Sequence, residues 1–227
     1  MSLSLDRLAA AFALGYVGLF AGLIMFTAEG PDPTLPPAEE MARAVSESGA
    51  IRASAVLLLA SSLAFAGFAA CLALILARRG DTTAAALTAV AGAVATATKL
   101  TSAAGLIVAV EAADRALSAD VFAAFGDLHT AALLFALAPV GVVLLMAWRA
   151  GLGRTVSWIG IVVGIACIVA AGAVMSAEFD RGPLGIAVVI WFLGLPVWLI
   201  ATAIVLIRRG TRARVVTSPE EPSVAPR

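Results

Sequence analysis

The sequence predicts an all-α fold, a polytopic membrane helix bundle of six transmembrane helices with both termini in the cytoplasm. Three observations predict it. The 227-residue chain is 62% hydrophobic and only 13% charged, with a mean hydropathy of +1.03, where a soluble domain averages roughly 45–50% apolar and about 25% charged. Six apolar stretches are each long enough to cross a hydrocarbon core, which takes about 20 helical residues. The segments between them alternate in charge.

The first stretch, residues 5–28, is too long for the roughly 7–15 apolar residues of a signal-peptide core, and Phe26-Thr27-Ala28 makes a poor cleavage site. It reads as a retained span. The segment after it carries Pro31, Pro33, Pro36 and Pro37 and then "PAEEMARAVSES", a short helix that proline starts and Gly49 stops. Met41 and Val45 would rest on the bundle, with Glu39, Arg43 and Glu47 pairing along the wet face. The remaining spans are 51–77, 83–110, 122–148, 156–177 and 184–207. Residues 1–210 thus form one transmembrane domain. The segment 211–227, basic and then rich in proline and acid, reads as a disordered cytoplasmic tail.

One set of span ends carries Arg7, Arg78, Arg79, Arg149, Arg154, Arg208, Arg209, Arg212 and Arg214. The other carries Glu29, Asp32, Glu39, Glu40, Glu47, Glu111, Asp114, Asp120, Glu178 and Asp180. The excess of arginine on one side places that side in the cytoplasm of a plasma membrane. Spans one, three and five end outside at Glu29, Glu111 and Glu178, the acids of an outer mouth. Spans two, four and six end inside at "ARRG", "WRAG" and "IRRG". Three similar hairpins in parallel repeat would give this pattern, and so would boundary charge alone. Close helix packing is expected at Gly18 and Gly22, at Gly160 and Gly164, and along Ala85, Ala89, Ala93 and Ala97.

Lys99 is the one lysine among fifteen basic residues, and it lies inside the third span. At 100° per residue, the stripe within about 60° of it is Thr88, Gly92, Ala95, Thr96, Ser102, Ala103, Leu106 and Val110. These are mostly small or hydroxylated residues, so Lys99 faces protein and not lipid. A lysine near the bilayer centre costs roughly 2.5–3.5 kcal/mol to insert and needs partners. If a helix capped by Ser118 runs through Gly126, folding the hairpin about "AADRAL" sets Lys99 level with residues 127–132. The expected cluster is therefore Lys99 with Asp127 as ion-pair partner and His129 close by. Ser61, Ser62, Thr96 and Ser102 would complete the hydrogen bonding. Such a trio serves as a staple between helices or as a ligand or proton site.

Chemistry beyond that finds few residues. One histidine builds no bis-histidine haem or multi-histidine zinc site, Cys71 and Cys167 sit apart in apolar runs, and HExxH, GxSxG, CxxC and Walker A patterns are missing from the sequence. A Schiff base on Lys99 is disfavoured by the scarcity of aromatics expected around it, with Trp148, Trp158, Trp191 and Trp198 towards the cytoplasmic half or on other helices. No cofactor and no metal are expected. The predicted class is a non-catalytic membrane component, an accessory subunit or a bundle binding lipid or a small ligand. Its partners are then the lipid bilayer and a bound lipid or another membrane subunit, with no nucleic acid. The alternative is a small proton- or ion-coupled secondary carrier in which Pro139 and Pro196 flex beside the cluster.

Overall fold

The computed structural model describes residues 4–26, 36–115, 118–172 and 183–216. Its helices are α1 (Leu5–Phe26), α2 (Pro37–Ser46), α3 (Ser48–Arg78), α4 (Thr82–Asp114), α5 (Ala119–Phe135), α6 (Leu137–Ala147), α7 (Arg154–Gly172) and α8 (Pro183–Val216), with a 3-10 turn at Trp148–Ala150. Among the described residues six spans are long and apolar enough to cross a membrane, α5, α6 and the turn counting as one. Helices are the form such spans must take, because lipid offers the backbone no hydrogen-bond partners.

Local chemistry sets the helix ends. The Asp81 carboxylate accepts from the Ala84 N–H at 3.1 Å to start α4, and Ser118 accepts from Val121 at 3.4 Å to start α5. Pro139 has no N–H for the Phe135 carbonyl and its ring crowds that oxygen, so the fourth span breaks at Ala136 into α5 and α6. α8 carries Pro196 in its interior and stays helical to Val216, past Thr211 where the sequence reading begins a disordered tail. The acids Glu29 and Glu178 and the residues from 217 onward lie outside the described residues.

Each span packs against the next, and α8 returns to α1, so the six spans close into a ring. Its core runs through Phe65, Phe68, Leu72 and Leu76 of α3, Leu144 of α6, Cys167 of α7, and Trp198 and Leu206 of α8. Backbones approach closely at a few glycines. A methyl on Gly141 would lie 2.5 Å from the Gly164 carbonyl, one on Gly92 2.5 Å from Ala69, and one on Gly160 2.6 Å from Trp198. The other expected motif is open. Gly18 meets nothing within 4 Å and Gly22 touches only Leu57 at 3.8 Å. Of the alanine row, Ala85 is buried while Ala89, Ala93 and Ala97 are exposed. A four-residue step drifts by about 40° around a helix, which carries the row off the packed face.

α2 lies across α4 and α5, where Ala44 meets Ala109, Ala113 and Phe122, with Met41 beside them. Val45 is exposed, in contrast to the expected Met41 and Val45 contact, and Glu40 is buried in its place. Arg43 makes this burial tolerable. It pairs with Glu40 at 2.6 Å and reaches Glu47 at 3.8 Å, while Glu39 stays exposed.

A buried lysine in an aromatic clasp

Lys99 sits midway along α4 and is 4% exposed. The whole stripe around it faces protein: Thr88, Gly92, Ala95, Thr96, Ser102, Ala103 and Val110 are buried, and Leu106 is half-buried. Its ammonium donates to the Tyr16 hydroxyl of α1 at 3.2 Å. It also lies 4.8 Å from the centre of the Tyr16 ring and 5.0 Å from that of Phe65 on α3. Ring faces carry negative charge density, and a desolvated cation within about 6 Å gains up to about 2 kcal/mol from each. Two rings and one hydroxyl therefore offset the roughly 2.5–3.5 kcal/mol of placing a lysine at this depth.

The expected ion pair with Asp127 is not formed. Asp127 is exposed, and no carboxylate among the described residues pairs with Lys99. The reason is rotational. The small-residue arc of α4 is shared among its neighbours, and its Lys99 edge turns to α1 and α3 while its Ser102 edge turns to α5. The clasp was also hidden by distance in sequence: Tyr16 and Phe65 lie on other helices, so the expected scarcity of aromatics around Lys99 is overturned. They belong to a chain of ring contacts from Phe20 through Tyr16, Phe65 and Phe68 to Trp198, with centroids 5.8–6.4 Å apart.

His129 forms a separate unit. Ser102 Oγ donates to the His129 carbonyl at 2.9 Å, and His129 Nδ1 lies 2.9 Å from both the Ser102 carbonyl and Ser102 Oγ. The pattern fits a neutral ring donating from Nδ1 to the Ser102 carbonyl. Gly105 makes it possible, since a methyl there would lie 3.2 Å from the Phe125 carbonyl and 3.3 Å from the His129 nitrogen. The register of this hairpin is the one set by folding about "AADRAL", with Ser102 opposite His129.

The other candidate hydroxyls serve their own helices. Ser61 and Ser62 donate to the Leu58 carbonyl at 2.9 and 2.6 Å, and Thr96 to Gly92 at 2.8 Å. Thr202 of α8 is fully buried with no hydrogen-bond partner among the described residues. Glu111, placed by the sequence at an outer mouth, pairs with Arg52 at 3.0 Å, and Arg52 also pairs with Asp114. No three His, Cys, Asp or Glu side chains among the described residues converge as a metal site would require.

At the opposite end the turns are locked together. Arg149 donates to the Asp81 carboxylate, while Arg79 and Arg209 both donate to the Ala150 carbonyl at 3.0 and 3.1 Å. The Ala84 N–H and then the Arg149 guanidinium hold the Asp81 carboxyl below the usual carboxylate range. Gly151 is required at this joint. Its φ of +65° suits glycine, and a methyl on it would lie 2.8 Å from the Arg79 guanidinium. Comparison with protein-family models, with curated proteins and with solved structures gives no match to this chain.

Proposed function

We propose that this protein is a non-catalytic component of the plasma membrane, an accessory subunit or lipid-binding bundle, with the arginine-rich end and both termini in the cytoplasm. One observation carries the reading: among the described residues the buried polar side chains, apart from Thr202 and the Trp191 N–H, are already engaged by protein groups. Lys99 joins α4 to α1 and α3, Ser102 joins α4 to α5 through His129, and the hydroxyls of Ser61, Ser62 and Thr96 bond to their own helices. The distribution of arginine supports the orientation. Native mass spectrometry from mild detergent tests it. The expected result is a retained lipid or second subunit, and a bare monomer under the gentlest conditions would contradict it.

A carrier is the second reading, favoured by the break of the fourth span at Ala136 beside Pro139. Uptake into proteoliposomes that is abolished by both Lys99→Met and His129→Gln would support it. Uptake indifferent to both would remove these residues from any transport mechanism.

A further inference from the structure

Seven of the described arginines fall into two groups. Arg43, Arg52, Arg115 and Arg149 each face a carboxylate. Arg78, Arg79 and Arg209 form no ion pair among the described residues, and they line one pocket together with Asp6, Leu5 and Ile75. The pocket is an open cleft of about 310 Å³ where the start of α1 meets the end of α3 and the late turns of α8.

Two of its cations are fixed. Arg79 and Arg209 come from different helices to the same Ala150 carbonyl, at 3.0 and 3.1 Å, and each uses one of five N–H donors there. Two guanidinium groups drawn to one neutral oxygen repel each other, and an anion placed between their unused donors relieves that repulsion. Arg78 directly precedes Arg79 and is exposed without a protein partner among the described residues. Three arginines against Asp6 leave the pocket two positive charges in excess. Leu5 and Ile75 make the other wall apolar, and Ile75 belongs to the buried core. A ligand matched to these walls is a phosphate with a hydrocarbon continuation. Basic pockets between membrane helices, at the level of the interface, are where lipid headgroups bind.

We propose that this pocket binds the phosphate of an anionic phospholipid, with Arg78, Arg79 and Arg209 on its oxygens and Leu5 and Ile75 against the first carbons below the headgroup. This deepens the lipid-binding reading above and rests on the bundle spanning a bilayer, independently of the Lys99 clasp. The test uses the full chain in mild detergent, titrated with phosphatidylglycerol, phosphatidylcholine, inorganic phosphate or glycerol 3-phosphate, and read by native mass spectrometry and thermal unfolding. Phosphatidylglycerol should form a one-to-one adduct and raise the unfolding temperature, with phosphatidylcholine far weaker.

Arg78→Gln removes an exposed fork that no described carboxylate engages, so the fold should survive. It should weaken phosphatidylglycerol binding about tenfold or more, the worth of a charge-assisted contact. Arg209→Lys, which keeps the charge and loses the fork, should weaken it less. Equal binding of the two lipids, or undiminished preference in Arg78→Gln, would overturn the pocket assignment. Protection by free phosphate equal to that of the lipid would overturn the lipid as occupant. Lipid retained equally by wild type and Arg78→Gln would sink this site alone, whereas a chain that retains neither lipid nor subunit would sink the membrane-component reading.

Discussion

Lys99 and Arg52 both tie neighbouring helices together, and they do so in different solvents. Arg52 joins α3 to α4 through Glu111 and Asp114, with its side chain 46% exposed. Lys99 joins α4 to α1 and α3 at 4% exposure, through a hydroxyl and two ring faces. At the wet end a carboxylate partner keeps much of its hydration. In the interior a carboxylate would have to be stripped of water as well, at several kcal/mol, before it could attract the lysine. An aromatic ring is already apolar and loses little on burial, yet still presents negative charge density. Ring faces therefore do at mid-bundle what carboxylates do at the rim.

The comparison can be broken first at its interior pole. Tyr16→Ala should destabilise the bundle by about 3–5 kcal/mol, because it opens a cavity and takes away the hydroxyl that accepts from Lys99; unfolding in mixed micelles measures this. A loss under 1 kcal/mol would mean that the clasp carries little. At the wet pole Arg52→Ala should cost less than about 1 kcal/mol. That loss should shrink as salt rises, since the exposed pair is screened, whereas the Tyr16→Ala loss should not respond to salt. A salt response shared by both would erase the distinction.

The smallest effect is expected at Asp81, where a half-buried carboxylate couples two turns. Its carboxyl is held low in the folded chain, so its contribution is present above the ordinary carboxylate range, near 4. It is lost as pH falls through the lowered folded value. Asp81→Asn keeps the cap on α4 and removes the charge towards Arg149. Its unfolding temperature should fall less steeply than that of the wild type as the solution is acidified below about pH 4, and an unchanged acid slope would contradict the role given to Asp81.

Much of the architecture was legible in the residues. Run length gave the six spans, the small-residue stripe gave the inward face of Lys99, and Ser118 with "AADRAL" gave the hairpin register. What was not legible is rotation and long-range pairing. A hairpin register says which residues are level, but not which edge of a shared arc a side chain takes, so Asp127 was put where Tyr16 stands. Tyr16 is eighty-three residues from Lys99, and nothing in its own helix marks it as a partner. GxxxG spacing likewise says that close approach is allowed, and only the fold decides that Gly160 and Gly164 meet a neighbour while Gly18 does not. The arginine pocket was visible only as boundary charge until the end of α3 and the late turns of α8 brought Arg78, Arg79 and Arg209 together.

The clasp itself is tested most directly by a double-mutant cycle with Lys99→Met and Tyr16→Phe, two changes that keep volume and remove the charge or the hydroxyl. The stability of all four proteins would be measured by reversible unfolding in the same micelles. If the ammonium and the hydroxyl act as one unit, the two effects are non-additive by about 1 kcal/mol. The double variant, with no buried charge left, then lies close to the wild type. Additivity within about 0.5 kcal/mol would contradict the coupling of the ammonium to the Tyr16 hydroxyl and leave Lys99 held by the ring faces alone.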